Sequence, residues 1–188
     1  VLGAHLPLLR PPSAELTVLD VGQGDGLVLR VGSRWLVVDG GPAGGGWDAG
    51  ERRVLPFLQR RRARHVLLAV SHGHADHAGG ARALLRSGRV DTLLVAASDS
   101  GRAWTRRLER EAARDGVAVR RLAAGDVLDL DRWTLRCLWP PGEAPGLSTN
   151  DRSLVLSGGP KGAEVLLTGD MEAAAEARLL GRGAIPPA

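Results

Sequence analysis

The order of elements along the chain predicts a layered α/β sandwich and not a doubly wound sheet. Three observations carry this. Short β-patterned runs separated by glycine clusters open the chain, helical patterns interrupt its middle, and further β-patterned runs return before one last helix. At 188 residues the chain is long enough for one good core and one domain. Pro7, Pro11 and Pro12 interrupt any regular element near the start, so residues 1–13 read as an entry linker and 14–188 as the domain.

In chain order, residues 16–19, 26–31 and 34–39 read as strands joined by tight glycine turns. A helical pattern covers 49–62. It should bend or restart at Pro56, which lacks an N–H and crowds the preceding turn. The apolar strand 66–70 follows, and 77–86 then looks helical, with Ala78, Gly79 and Gly80 small enough to let the helix start approach its neighbours. Residues 92–97 read as a strand, 102–114 as a helix and 117–122 as a strand. Four more strands are expected at 127–130, 133–139, 152–157 and 164–168, before a final helix at 171–180. There is no internal repeat and no low-complexity tract.

Composition excludes some classes. No stretch approaches the ~20 apolar residues needed to cross a bilayer, so this piece is expected to be soluble even if a longer parent is not. Val1 in place of a methionine, with no signal pattern behind it, predicts a fragment of something longer. The single cysteine, Cys137, cannot form an internal disulfide and reads as a small buried hydrophobe. Net charge is +4, carried almost wholly by arginine because Lys161 is the only lysine. Arg52, Arg53, Arg60, Arg61, Arg62 and Arg64 form one cluster; Arg102, Arg106, Arg107 and Arg110 form another. Arginine's planar fork suits phosphate. Solvated helix faces, in a chain whose default cation is arginine, remain the favoured reading of both clusters.

Three of the five histidines fall in the string Ser71-His72-Gly73-His74-Ala75-Asp76-His77-Ala78-Gly79-Gly80, directly after the strand at 66–70. The pattern H-x-H-x-D-H reads as a metal site. His72 and His74, two apart on an extended loop, can grip one cation, while Asp76 and His77, at a helix entry, can address a second. Neutral imidazole and carboxylate suit Zn²⁺, Mn²⁺ or Fe²⁺. Two cations ~3.5–4 Å apart need a shared oxygen ligand. Asp170, which closes the run Val165-Leu166-Leu167-Thr168-Gly169, fits that role. Asp39, ending Trp35-Leu36-Val37-Val38, reads as a partner that orients a ligand histidine. His5, in the linker, and His65, at a strand start, carry no expected role.

Together, Val-Val-Asp-Gly-Gly, the histidine string and Leu-Leu-Thr-Gly-Asp resemble the metallo-β-lactamase fold superfamily. Three further strings resemble the extracytoplasmic nuclease-like domain of the ComEC family of DNA-uptake (competence) channels: Leu19-Asp20-Val21-Gly22-Gln23-Gly24-Asp25, Asn150-Asp151-Arg152-Ser153-Leu154-Val155-Leu156, and Thr168-Gly169-Asp170. The resemblance covers about residues 15–182. It implies a four-layer αββα sandwich that stops short at its C-terminus. It also implies two divalent ions, with His72 and His74 on the first, Asp76 and His77 on the second, and Asp170 bridging. Asp76 would be catalytic as well as a ligand, and a shared water would be the nucleophile. Asp25 and Asn150 would lie near the pocket mouth and Ser153 would meet substrate, although turn-forming or capping roles explain these three equally well.

The departures from that pattern matter. Most of the superfamily adds a downstream histidine to each metal, whereas no histidine follows His77 here. Asn150 or a water would substitute at the first metal. The histidine of the second is expected beyond Ala188, which predicts partial metal occupancy in this chain. The oxygen-rich donor set favours Mn²⁺ over Zn²⁺.

The expected function is metal-dependent DNA phosphodiester hydrolysis in a competence import protein, degrading the strand that is not imported. Single-stranded DNA and the transmembrane channel part of the same parent chain would be the partners, on the extracytoplasmic face of the cell membrane. The alternatives are a non-catalytic DNA-guiding module of the same fold, or a small-molecule hydrolase of the superfamily acting on a thioester or lactone.

Overall fold

Strands β1 (Ala14–Val18), β2 (Leu27–Val31) and β3 (Arg34–Val38) form an antiparallel meander. The computed structural model describes residues 14–183, so the linker expected at 1–13, with His5, lies outside the described residues. After β3 comes a small hairpin, β4 (Ala43–Gly44) and β5 (Trp47–Asp48), in a stretch where the sequence predicted no element. Strands β6 (Val66–Ala69), β7 (Val90–Ala96) and β8 (Ala118–Leu122) then add in parallel to β3, giving the order β1-β2-β3-β6-β7-β8. A second sheet, antiparallel throughout, has the order β12-β11-β10-β9. Its strands are β9 (Val127–Leu130), β10 (Trp133–Trp139), β11 (Val155–Gly158) and β12 (Val165–Leu167).

The two-residue period of a strand decides how the layers stack. In β3, Trp35 and Val37 pack toward the helices, while Leu36 and Val38 pack toward the second sheet. Cover on both faces is why this strand is an unbroken apolar run. On the helix side lie α1 (Leu55–Arg60), α3 (Ala81–Leu85) and α4 (Ala103–Arg114), contributing Leu58, Leu84, Leu85 and Leu108. Between the sheets, Leu29, Leu36 and Leu94 meet Leu128, Leu135 and Leu156. Each such leucine adds roughly 1.5–3 kcal/mol by leaving water. Helix α5 (Ala173–Gly181) covers the outer face of the second sheet, with Ala175 and Leu179 packed among Trp139 and Val155. The order of layers is helix, sheet, sheet, helix, the αββα sandwich expected.

Cys137 is 1% exposed in the inter-sheet core, and burial pushes its thiol pKa up to about 12. It is the inert hydrophobe that its strand position implied. No helix among the described residues is long and apolar enough to cross a membrane.

Local departures have local causes. The helix expected at 49–62 begins as a wide π-type turn, Gly50–Val54, before α1, because Pro56 cannot continue a regular i→i−4 ladder behind it. The helix expected at 77–86 is two pieces, α2 (Ala75–Ala78) and α3, broken at Gly79-Gly80 where neighbouring backbone crowds in. The strand expected at 152–157 starts only at Val155, since Asn150–Arg152 is a 3-10 turn. The last helix starts at Ala173 with Glu172 as its N-cap, so Asp170 precedes it by two residues and does not cap it.

Candidate metal centre

The parallel strands β3 and β6 end side by side, and the residues just past their carboxyl ends build the site. Asp39 N donates to Ala69 O at 2.9 Å, and Val70 N donates to Leu94 O at 3.0 Å, which fixes both chain exits. Asp39 turns into the left-handed region, φ +64°, a conformation that Asp tolerates better than most residues. Its carboxylate is fully buried and fully used. Oδ1 accepts from Ser71 N at 2.7 Å, while Oδ2 accepts from Ser71 Oγ at 2.6 Å and from His77 Nδ1 at 2.9 Å.

These bonds set the tautomers of two buried histidines. Because His77 gives its Nδ1 proton to Asp39, Nε2 is left facing Asp170 Oδ2 at 3.3 Å. Ser71 gives its hydroxyl proton to Asp39, so it accepts from Nδ1 of His72 at 3.0 Å, with Ser153 Oγ at 3.4 Å from the same nitrogen. The Nε2 lone pair of His72 therefore points outward, 3.2 Å from Nδ1 of His74. His72, His77 and Asp170 bring donor atoms within 4.8 Å of one another, and Asp25, Asp39 and His77 form a second such group.

Each residue expected at the site can now be placed. His72 and His77 are buried, while His74 is exposed and reaches the group through His72. Asp170 is 42% exposed in its side chain and is anchored by its own N–H, which donates to Ser153 Oγ at 3.2 Å. Asp76 belongs to neither donor group; its Oδ2 accepts from Gln23 Nε2 at 3.4 Å. Asn150 turns its amide to Glu172 Oε1 at 3.0 Å and leaves Oδ1 buried without a partner. Asp25 brings a carboxylate oxygen within 4.8 Å of donor atoms of Asp39 and His77. His65 pairs with Asp91 on the surface at 2.9 Å, away from the site.

Ser71 and Gln23 escaped the sequence reading. Both lie inside the informative strings, but neither type is a metal donor by preference, so only their partners reveal them.

Glycines let these segments meet. A Cβ at Gly169, φ +53°, would fall 2.9 Å from the Ser71 side chain and 3.0 Å from Ser153, so glycine is what lets Asp170 arrive beside the histidines. A Cβ at Gly24 would lie 1.9 Å from the Asp76 carbonyl oxygen, so the Gln23–Asp25 turn rests directly on α2.

The electrostatics favour a cation. Burial disfavours the charged form of His77, yet the hydrogen bond and charge of Asp39, with Asp170 and Asp25 behind them, outweigh it and raise its pKa to about 9. Burial, and then the neighbouring His77, lower that of His72, keeping it a neutral imidazole. Burial and then the charge of Asp39 push Asp25 upward. Four carboxylates crowd three imidazoles in a chain of net positive charge, with lone pairs converging and no thiolate. That donor set fits a divalent ion of nitrogen and oxygen preference.

Comparisons with known proteins bear on the family and the fold. The chain is 28% identical over 180 residues to ComE operon protein 3 of Bacillus subtilis, covering 88% of this chain and 23% of that protein. It is 34% identical over 79 residues to Recombination protein 2 of Haemophilus influenzae, covering 42% of this chain and 10% of that one. The chain thus spans less than a quarter of the length of these relatives. Among solved structures, the metallo-beta-lactamase fold protein YhfI of B. subtilis superposes with a TM-score of 0.50 at 15% identity, covering 78% of this chain and 55% of that one. CmlA, a diiron beta-hydroxylase of Streptomyces venezuelae, gives 0.51 at 20% identity, covering 86% of this chain and 31% of that one. Members of the superfamily named by the matching family model are mostly metal-dependent hydrolases that hold divalent ions, often zinc. With that model matching residues 19–187, and with the four layers and the strand-end donor cluster in place, the chain belongs to the metallo-beta-lactamase superfamily.

Proposed function

We propose that this chain is a metal-dependent phosphodiesterase domain of a DNA-import protein, hydrolysing the strand that is not imported. The observation that carries the reading is the convergence of His72, His77 and Asp170, with Asp39 locking the His77 ring. DNA as the substrate class rests on the resemblance to the ComEC family of DNA-uptake channels, and the similarity to ComE operon protein 3 runs along most of this chain.

His72, His77 and Asp170 would hold an ion, with His74 beside them. The group Asp25, Asp39 and His77 would offer a second position, to which the family resemblance adds Asp76. Mn²⁺ is favoured over Zn²⁺ because carboxylate oxygens outnumber imidazoles. When bound, such ions supply Lewis acidity that brings a water's pKa toward neutrality and offsets phosphate charge. Asp39 and Ser71 hold the imidazoles in their donor tautomers, and Ser153 positions both His72 and Asp170. The partners are single-stranded DNA and the channel part of the parent chain, on the extracytoplasmic face of the membrane.

Incubation with single-stranded DNA and Mn²⁺ tests the reading. The chain should cleave, and His74→Ala should lose activity by roughly ten- to a hundredfold, the scale of disturbing the residues that support a bound ion. Equal cleavage by both proteins would overturn it. Bound metal with no cleavage would point instead to a DNA-guiding module.

A further inference from the structure

Beside the centre lies a cleft of about 440 Å³, walled by the β4–β5 hairpin, α2, α3 and α4. Helix α2 serves both: His77 belongs to the donor cluster, while Ala75 and Ala78 line the cleft. The hairpin brings Trp47 to the cleft and α4 brings Trp104. The chain has only five tryptophans, one phenylalanine and no tyrosine, so this one cleft takes two of its six aromatic side chains. Trp104 also rests on the metal loop itself. A Cβ at Gly73, between His72 and His74, would fall 2.3 Å from Trp104 Nε1, so glycine there lets the indole lie against the loop.

Cations surround these rings in held positions. The guanidinium groups of Arg52 and Arg53 lie 5.3 and 5.5 Å from the centre of the Trp47 ring. Oε1 of Glu111, a residue only 8% exposed, meets Arg82 at 3.3 Å and Arg107 at 3.4 Å, pinning both at the cleft wall. An exposed indole, Trp47, and a half-buried one, Trp104, interleaved with arginines offer the chemistry that binds single-stranded nucleic acid without reading its sequence.

We infer that this cleft is a nucleotide subsite, which takes the base of a residue flanking the scissile phosphate against Trp47 and Trp104 while Arg82 and Arg107 engage the adjoining backbone. The inference rests on the proposal that single-stranded DNA is the substrate. It adds where that strand lies and why a base-bearing strand is preferred.

Trp47 is 38% exposed on a surface hairpin, so replacing it should leave the thermal unfolding transition in place. The test measures binding in EDTA, where no metal-dependent cleavage occurs, by fluorescence anisotropy of an oligothymidylate and of an abasic strand of equal length. The wild-type chain should prefer the base-bearing strand by roughly tenfold, within the range of base–aromatic stacking. Trp47→Ala should reduce that preference to about twofold or less while leaving abasic-strand binding unchanged, and Trp47→Phe should keep most of it. Equal binding of the two strands by the wild-type chain, undetectable binding of both, or full discrimination by Trp47→Ala would each overturn the inference. Mn²⁺-dependent cleavage assayed in parallel separates it from the proposed activity. Cleavage without base preference removes the subsite alone, whereas base preference without cleavage removes the nuclease reading and leaves the cleft a binding site.

Discussion

Asp39→Ala should destabilise the chain by roughly 3 kcal/mol or more, because it strips three hydrogen bonds from a fully buried carboxylate and leaves their donors unpaired. It also places alanine at φ +64°, a conformation that a β-carbon resists. Asp39→Asn separates these causes. Asparagine tolerates the left-handed backbone but has one acceptor oxygen where three donors converge, so it should recover the conformational part of the loss and not the rest. Urea unfolding measures both. Divalent-ion affinity, read by calorimetric titration, should fall about ten- to a hundredfold in either variant, since the His77 ring loses the bond that orients it.

The wild-type chain and Asp39→Asn should differ in pH dependence in EDTA. A histidine whose folded pKa is raised from 6.5 to about 9 stabilises the native state fully below pH 6.5, and that contribution is lost as pH rises through about 9. The wild-type urea midpoint should therefore fall across that window. In Asp39→Asn, where burial is no longer opposed by the Asp39 charge, the fall should be much smaller. A midpoint equally flat in both proteins would show that Asp39 does not hold the proton on His77.

Gly80→Ala should be nearly as damaging, for a purely steric reason. Gly80 has an ordinary helical backbone, φ −76° and ψ −8°, so its conformation does not require glycine. Its surroundings do. A Cβ there would lie 2.2 Å from Gly40 O and 2.5 Å from Gly50 N, with backbone atoms that cannot swing aside. Gly80 N also donates to Gly41 O at 2.9 Å, and Gly40 N donates to His77 O at 2.9 Å, so moving α2 away would break the contacts that aim His77. A loss of about 3 kcal/mol, or failure to fold, is expected. Gly181→Ala in α5 is the control. Nothing lies within 4 Å of a Cβ there, and the change should be neutral or stabilise by up to about 1 kcal/mol. Similar melting temperatures for the Gly80 and Gly181 variants would show that the close approach is not what holds the loop.

Much of the fold was legible because its signals are local. Residues 34–39 alternate between two buried faces, and 127–130 and 133–139 coincide with β9 and β10. The errors also have local explanations. Gly79-Gly80 weakens a helix that pattern alone would continue, and the hairpin at Trp47 is too short to produce a strand period. The first turn after Asn150 is a 3-10 turn because Ser153 and the residues before it bond back on themselves, Ser153 N to Asn150 O at 2.9 Å, before the strand can begin.

The sequence by itself determined which kinds of side chain meet at the strand ends, imidazoles and carboxylates without a thiolate, and that they follow β6 on a loop entering a helix. Those properties depend on spacing within a few residues. Only the tertiary structure decided the partnerships: His77 beside His72 and Asp170, Asp76 turned toward Gln23, and Asp39 shared by Ser71 and His77. Apart from the His72–His77 approach, these join segments far apart in the chain; the Asp39 contacts depend on the parallel register of β3 and β6, and the Asp170 and Gln23 contacts on glycines whose missing β-carbons let segments touch. A residue's chemistry can be read from its letter, but whether two donors share one ion depends on distances of a few ångströms that only the packed layers set.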